Sequence, residues 1–150
     1  MTAYRIGDAG GDFPIWSAEG ARRESGRWHE AGDAVIYASE TYSCAMLEKL
    51  VHWNGALPRG QHFITLSLPA GLSYEVVNPD ALPGWHERNA NIARGFARAW
   101  FAEARSVLLL VPSVVARMER NLVINADHPE FPQIKPGLET PVWWDERLFS

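Results

Sequence analysis

The chain has 150 residues, a formal net charge of −4, and 47% hydrophobic against 21% charged residues. That is the balance of one folded domain able to bury its own core, and it excludes an intrinsically disordered segment. The acidic surplus argues against non-specific nucleic-acid binding, which draws its affinity from a basic surface that neutralises phosphates.

A single cysteine, Cys44, leaves no internal disulfide to form. The longest unbroken apolar run, Val107 to Pro112, is far shorter than the about 20 residues that span a bilayer. A cytoplasmic protein is the simplest expectation, with no membrane association.

The N-terminal Tyr4-Arg5-Ile6 reads as a first edge strand, followed by a glycine-rich loop from Gly7 to Asp12. Phe13 to Arg27 has no period and reads as a long loop over a cleft. Ala34 to Ser39 is apolar and partly β-branched, as in a buried strand. A helix is expected from about Glu40 to Trp53, with Ser39 or Thr41 as its cap and Ser43, Met46, Leu47 and Leu50 as its apolar stripe. Glu48 then falls on the flank shared with Cys44 and His52, at the rim of the core.

Gln61 to Leu68 alternates apolar and polar residues as a half-buried strand does, and Ser73 to Val77 reads as its returning hairpin partner. Trp85 to Ala104 carries apolar residues at helical spacing, despite Gly95. Val107 to Val111 is a fully buried strand stopped by Pro112, with Ser113 directly after it. Leu122 to Asn125 is a further short strand that turns out at Asp127-His128-Pro129. Val142 to Phe149 reads as a closing strand or a docking arm. Short strands around two main helices predict an α+β fold with a mainly antiparallel sheet, in one domain covering 1–150. Seven tryptophans is unusually many: some fill the core, and part of the set is expected at a partner or a ligand, with a homodimer among the expected partners.

The motifs GxSxG, HExxH, GxxxxGK[ST] and GxGxxG are all absent, and the five histidines lack metal-ligand spacing. No metal site is expected. What remains is Arg27, Tyr37 and Glu48, placed on a loop, a strand and the opening turns of a helix, with Ser113 at a strand end. A guanidinium suits a pyrophosphate, and a fixed carboxylate suits the cationic ribose that forms when an N-glycosidic bond breaks, as between nicotinamide and ribose in NAD. An aromatic face such as Tyr37 can sandwich the nicotinamide, and the serine can hold a ribose hydroxyl or the amide. Each residue also has an ordinary reading: a solvated loop arginine, a strand tyrosine, a helix carboxylate in a weak ion pair, and a strand-end cap.

The segments GRWH (Gly26 to His29), VIYAS (Val35 to Ser39), MLEKLVH (Met46 to His52), VPSVV (Val111 to Val115) and NLVINADHP (Asn121 to Pro129) resemble, in order and spacing, the RES-domain toxins of bacterial Res-Xre toxin-antitoxin pairs. The resemblance implies an ADP-ribosyltransferase-like fold, NAD as substrate with no resident cofactor, and an Xre-type helix-turn-helix antitoxin as partner. It carries the family's arginine, tyrosine, glutamate and serine onto Arg27, Tyr37, Glu48 and Ser113, with Asn125 as a further substrate-binding residue. The family pattern usually reads GRWN, and position 29 here is histidine. The expected activity is NAD consumption by cleavage of the nicotinamide-ribose bond. The alternatives are ADP-ribosyl transfer to a protein and a catalytically silent nucleotide-binding or interaction module.

Overall fold

In the computed structural model, which describes residues 1–149, the strands are β1 (Thr2–Asp8), β2 (Val35–Ser39), β3 (Gln61–Ser67), β4 (Tyr74–Val76), β5 (Leu108–Pro112), β6 (Arg120–Asn125), β7 (Lys135–Pro136) and β8 (Thr140–Pro141). They form one sheet in the order β4-β5-β6-β2-β1-β3-β7, with β8 also on β3. Every pairing is antiparallel except that of β4 with β5. Two 12-residue helices, α2 (Tyr42–Trp53) and α3 (Asn91–Ala102), and the short α1 (Glu19–Arg23) complete the α+β arrangement expected from the sequence.

The central strands β5, β6 and β2 are buried along most of their length because both faces of the sheet are covered, which is why they read as near-continuous apolar runs. On one face Ile36, Ala38, Ile64, Leu66, Leu108, Leu110, Leu122 and Ile124 pack under Ile15, Trp16 and Ile134 from loops and Phe131 from the 3₁₀ turn Phe131–Gln133. On the other, Val35, Leu109, Val111 and Val123 meet Ala93, Ala97 and Trp100 of α3 and the indoles of Trp28 and Trp85. Helix α2 lies on this second face, against β1 and β2; the Tyr42 ring meets Tyr4 at 5.9 Å and Phe63 at 4.8 Å.

Several elements depart from the sequence expectation. The first strand is not at an edge: β1 sits between β2 and β3. Arg5 disguised it, because its guanidinium is turned inward and donates from Nε to the Ile15 carbonyl (2.7 Å) and from Nη1 to the Tyr37 carbonyl (2.9 Å). Burial draws its pKa down to about 10, which still leaves it cationic at neutral pH. The Ser73 to Val77 segment does not fold back on β3; β4 pairs in parallel with β5, so no hairpin forms. In the tail, β8 ends at Pro141 and a single 3₁₀ turn, Glu146–Leu148, follows, with Trp144 buried and Trp143 exposed.

The helix boundaries shift for local reasons. Thr41, not Ser39, caps α2 by accepting the Cys44 N–H at 3.1 Å, while the Ser39 hydroxyl turns to Asn121. The inward face of α2 carries Cys44, Ala45 and Glu48, and the expected stripe residues Ser43 and Leu47 are exposed. Helix α3 starts at Asn91 instead of Trp85, because the Trp85 and Glu87 carbonyls accept from Arg27 and the Asn89 side chain takes the Asn91 N–H. Phe13 to Arg27 is mostly irregular, as expected, but holds α1.

Removing the cap of α2 tests how far its register depends on Thr41. Thr41→Ala is expected to lower unfolding stability by about 1 kcal/mol, read as a shift in urea midpoint at unchanged slope; an unchanged midpoint would show that packing alone holds the first turn.

Candidate active site

The GRWH segment forms a tight turn closed by Gly26 N–H donating to the His29 carbonyl at 3.1 Å. A Cβ at position 26 would lie 2.8 Å from the His29 ring and 2.8 Å from the Tyr37 hydroxyl, so only glycine fits here. Arg94 of α3 donates from Nε to the Gly26 carbonyl at 3.0 Å, and Arg98 pairs with the buried Asp33 at 2.6 Å. Helix α3 thus clamps the loop 26–33 at both ends. Arg27 is partly exposed, and its Nη1 donates to the carbonyls of Trp85 and Glu87, both at 2.8 Å. Among the described residues its Nε and Nη2 donate to no protein acceptor, so part of the guanidinium fork is free for a ligand.

Trp28 is buried, stacks on Trp85 with ring centroids 6.3 Å apart, and donates its backbone N–H to the Tyr37 hydroxyl at 3.2 Å. The same hydroxyl lies 2.6 Å from His29 Nδ1, while His29 Nε2 faces the carbonyls of Ala21 (3.0 Å) and Glu24 (2.6 Å). Burial pushes the Tyr37 hydroxyl well above the ordinary tyrosine range, against smaller opposing effects of the Trp28 N–H and the charges of Arg94 and Arg27. Tyr37 is therefore a neutral phenol at any physiological pH.

Glu48, on the inward flank of α2, accepts on Oε1 from the Ser113 hydroxyl and from the Asn121 amide, each at 2.7 Å. Ser113 is fully buried at the end of β5; its N–H donates to the Glu119 carbonyl at 3.0 Å and its oxygen accepts the Ala116 N–H at 3.0 Å, which leaves the hydroxyl proton for Glu48. Asn121 is oriented in turn, because its Oδ1 accepts from the Ser39 hydroxyl at 2.7 Å. Glu48 Oε2 accepts no protein hydrogen bond among the described residues. One carboxylate oxygen is fixed by two donors and the other is left for a ligand.

Strand register places both groups on the same face of the sheet. Tyr37 opposes Val123 and Ser39 opposes Asn121 across β2 and β6, and Val111, two residues before Ser113, opposes Asn121 across β5 and β6. Tyr37 and Ser39, two residues apart on one strand, are about 7 Å apart along it. Arg27, Tyr37, Glu48 and Ser113 thus flank the helix-covered face. Asn125 does not join the Glu48 group: it lies at the other end of β6, about 13 Å from Asn121 by the rise of a strand, buried, with its Oδ1 accepting the Asp127 N–H at 2.9 Å to form the turn out of β6. The asparagine that reaches Glu48 is Asn121, in the same NLVIN segment. Its role depends on strand register against Ser39, and that register is not written in the segment itself.

Elsewhere, a cavity of about 300 Å³ lined by Leu68, Leu72, Leu108 and Leu110 opens at the loop-covered face. Its charged residues, Glu40 and Arg120, pair with each other at 3.2 Å, so it lacks free polar groups of the kind seen around Glu48. Among the described residues no three His, Cys, Asp or Glu side chains gather as a metal ion would require, and no helix is long and apolar enough to cross a membrane.

Comparison with known proteins follows this geometry. The chain is 40% identical over 137 residues to a Prs ADP-ribosylating toxin of Sphingobium sp. (strain YBL2), covering 88% of this chain and 85% of that protein. It is 33% identical over 138 residues to a Toxin Res of Pseudomonas putida, covering 89% and 92%. Its fold is similar to a chain of the crystal structure of the M. tuberculosis MbcT-MbcA toxin-antitoxin complex, with a TM-score of 0.69 at 21% identity over 93% of this chain and 82% of that one. The RES domain pattern matches residues 2–145, and the chain belongs to the RES domain family.

Proposed function

We propose that the chain is a toxin enzyme that cleaves the nicotinamide-ribose bond of NAD, and that Arg27, Tyr37, Glu48 and Ser113 form its site. The observation that carries this reading is the Glu48 carboxylate, held through Oε1 by Ser113 and Asn121 and open at Oε2. In the reaction the bond from the anomeric carbon to the pyridinium nitrogen breaks. Its electron pair neutralises the leaving nicotinamide, and the ribose is left as an oxocarbenium-like cation. Glu48 Oε2 faces that cation or a ribose hydroxyl, and a preorganised anion there lowers the barrier without reorganising. The free edge of the Arg27 fork binds the pyrophosphate, and the Tyr37 ring packs beside the nicotinamide.

Which nucleophile then bonds to the anomeric carbon distinguishes NAD depletion, with water or phosphate, from ADP-ribosyl transfer to a protein. The second reading is supported by the name of the Sphingobium relative at 40% identity. An Xre-type helix-turn-helix antitoxin is the proposed partner, in the cytoplasm, and operator contacts fall to it because this chain carries a net charge of −4.

Purified protein is expected to release nicotinamide from NAD, and Glu48→Gln to reduce kcat by about 10² to 10³ with the fold intact. Wild-type turnover no higher than that of the variant would end the enzyme reading. Products resolved by mass, with and without phosphate and with a candidate protein acceptor, identify the nucleophile.

Two further variants separate the roles. Arg27→Lys keeps a charge but loses the fork, and is expected to raise KM by about 10-fold with a smaller change in kcat. Asn121→Leu removes one donor from Glu48 and is expected to lower kcat by about 10-fold or more at nearly unchanged KM. A change in KM alone would show that the Asn121 donor does not position Glu48 for the chemical step.

A further inference from the structure

The hydrogen-bond partners of His29 constrain the direction of a proton in the site. The ring is buried, and its hydrogen-bond partners are two carbonyls on one side and the Tyr37 hydroxyl on the other. A carbonyl only accepts, so Nε2, at 2.6 Å from the Glu24 oxygen and 3.0 Å from that of Ala21, must carry a proton. In the neutral ring Nδ1 is then a bare acceptor. The Tyr37 hydroxyl at 2.6 Å must donate to it. The Trp28 N–H, at 3.2 Å, donates to the same phenol oxygen and occupies one of its lone pairs, not its proton.

We propose that His29 is a positioning residue that commits the Tyr37 proton, so that towards the substrate Tyr37 accepts a hydrogen bond and does not donate one. The group it meets is a donor, an N–H or O–H of the dinucleotide; this rests on the NAD reading given above. Asparagine at position 29 would not impose the same direction, because its side-chain amide can donate as well as accept and would allow the phenol proton to turn towards the ligand. The Gly26 backbone supports the arrangement, since the His29 ring and the Tyr37 oxygen both lie where its Cβ would stand.

The test has two arms. Long-range ¹H–¹⁵N NMR of the free protein at neutral pH is expected to show His29 neutral with its proton on Nε2, and the Nδ1 resonance to move in Tyr37→Phe, which removes the donor and keeps the ring. A proton on Nδ1, on both nitrogens, or an unmoved Nδ1 resonance would overturn the proposal, and this arm needs no turnover, so it stands even if the NAD reading fails. The second arm is a double-mutant cycle on nicotinamide release, with thermal melts confirming folded variants. His29→Gln is expected to lower kcat/KM by about 10-fold in the wild-type background and by less than about 2-fold in the Tyr37→Phe background. Equal losses in both backgrounds would show that His29 does not act through Tyr37.

Discussion

The bond that joins most of this structure to its chemistry is the pair of donors on Glu48 Oε1. A carboxylate turned towards the core costs free energy unless its oxygens are satisfied, and Glu48 has no cationic partner among the described residues. Ser113 and Asn121 supply the donors from the end of β5 and the start of β6, strands far from α2 in sequence. Ser39 in β2 orients Asn121, and the Thr41 cap sets the register of the helix that carries Glu48. Three strands and a helix meet through these contacts, so the placement of the carboxylate and the docking of α2 are one problem with one solution.

The segment that carries Arg27 is held differently, because it has little regular structure. Between β1 and β2 the chain runs through a long loop broken only by α1, and such a segment must find partners for its backbone groups elsewhere. Arginines provide many of them. Arg5 takes the Ile15 carbonyl, Arg94 the Gly26 carbonyl, and Arg98 the buried Asp33, while Arg27 crosses to Trp85 and Glu87. Each multi-donor fork fixes a loop that apolar packing alone would leave loose. Arg27 thereby serves two ends, holding the loop before α3 with Nη1 and keeping the rest of its fork available.

What was legible in the sequence follows from which interactions are local. The buried strands β2, β5 and β6 announced themselves through apolar runs, and membership of the RES family through the order and spacing of its segments, among them those that carry Arg27, Tyr37, Glu48 and Ser113. The misreadings share a cause: a polar contact from a distant segment overrode a local pattern. Arg5 hid the centrality of β1, Arg27 shortened α3 by engaging two carbonyls, and the Ser113–Asn121 pair turned the Cys44 and Glu48 flank of α2 inward where the apolar stripe predicted Ser43 and Leu47. Asn121 and Asn125 flank the same apolar core of one strand, and only its register with β2 shows that Asn121 is the one facing Ser39 and Glu48.

The choice of neutral donors around Glu48 has an electrostatic consequence. A lysine or arginine in the place of Ser113 or Asn121 would hold the carboxylate as firmly but would cancel its field at short range. A hydroxyl and an amide fix the geometry and leave the full negative charge facing outward through Oε2. The cation of Arg27 is tied to carbonyl oxygens and not to a carboxylate, so it too has no charged protein partner among the described residues. The two charges are each anchored by neutral groups and neither is spent on the other.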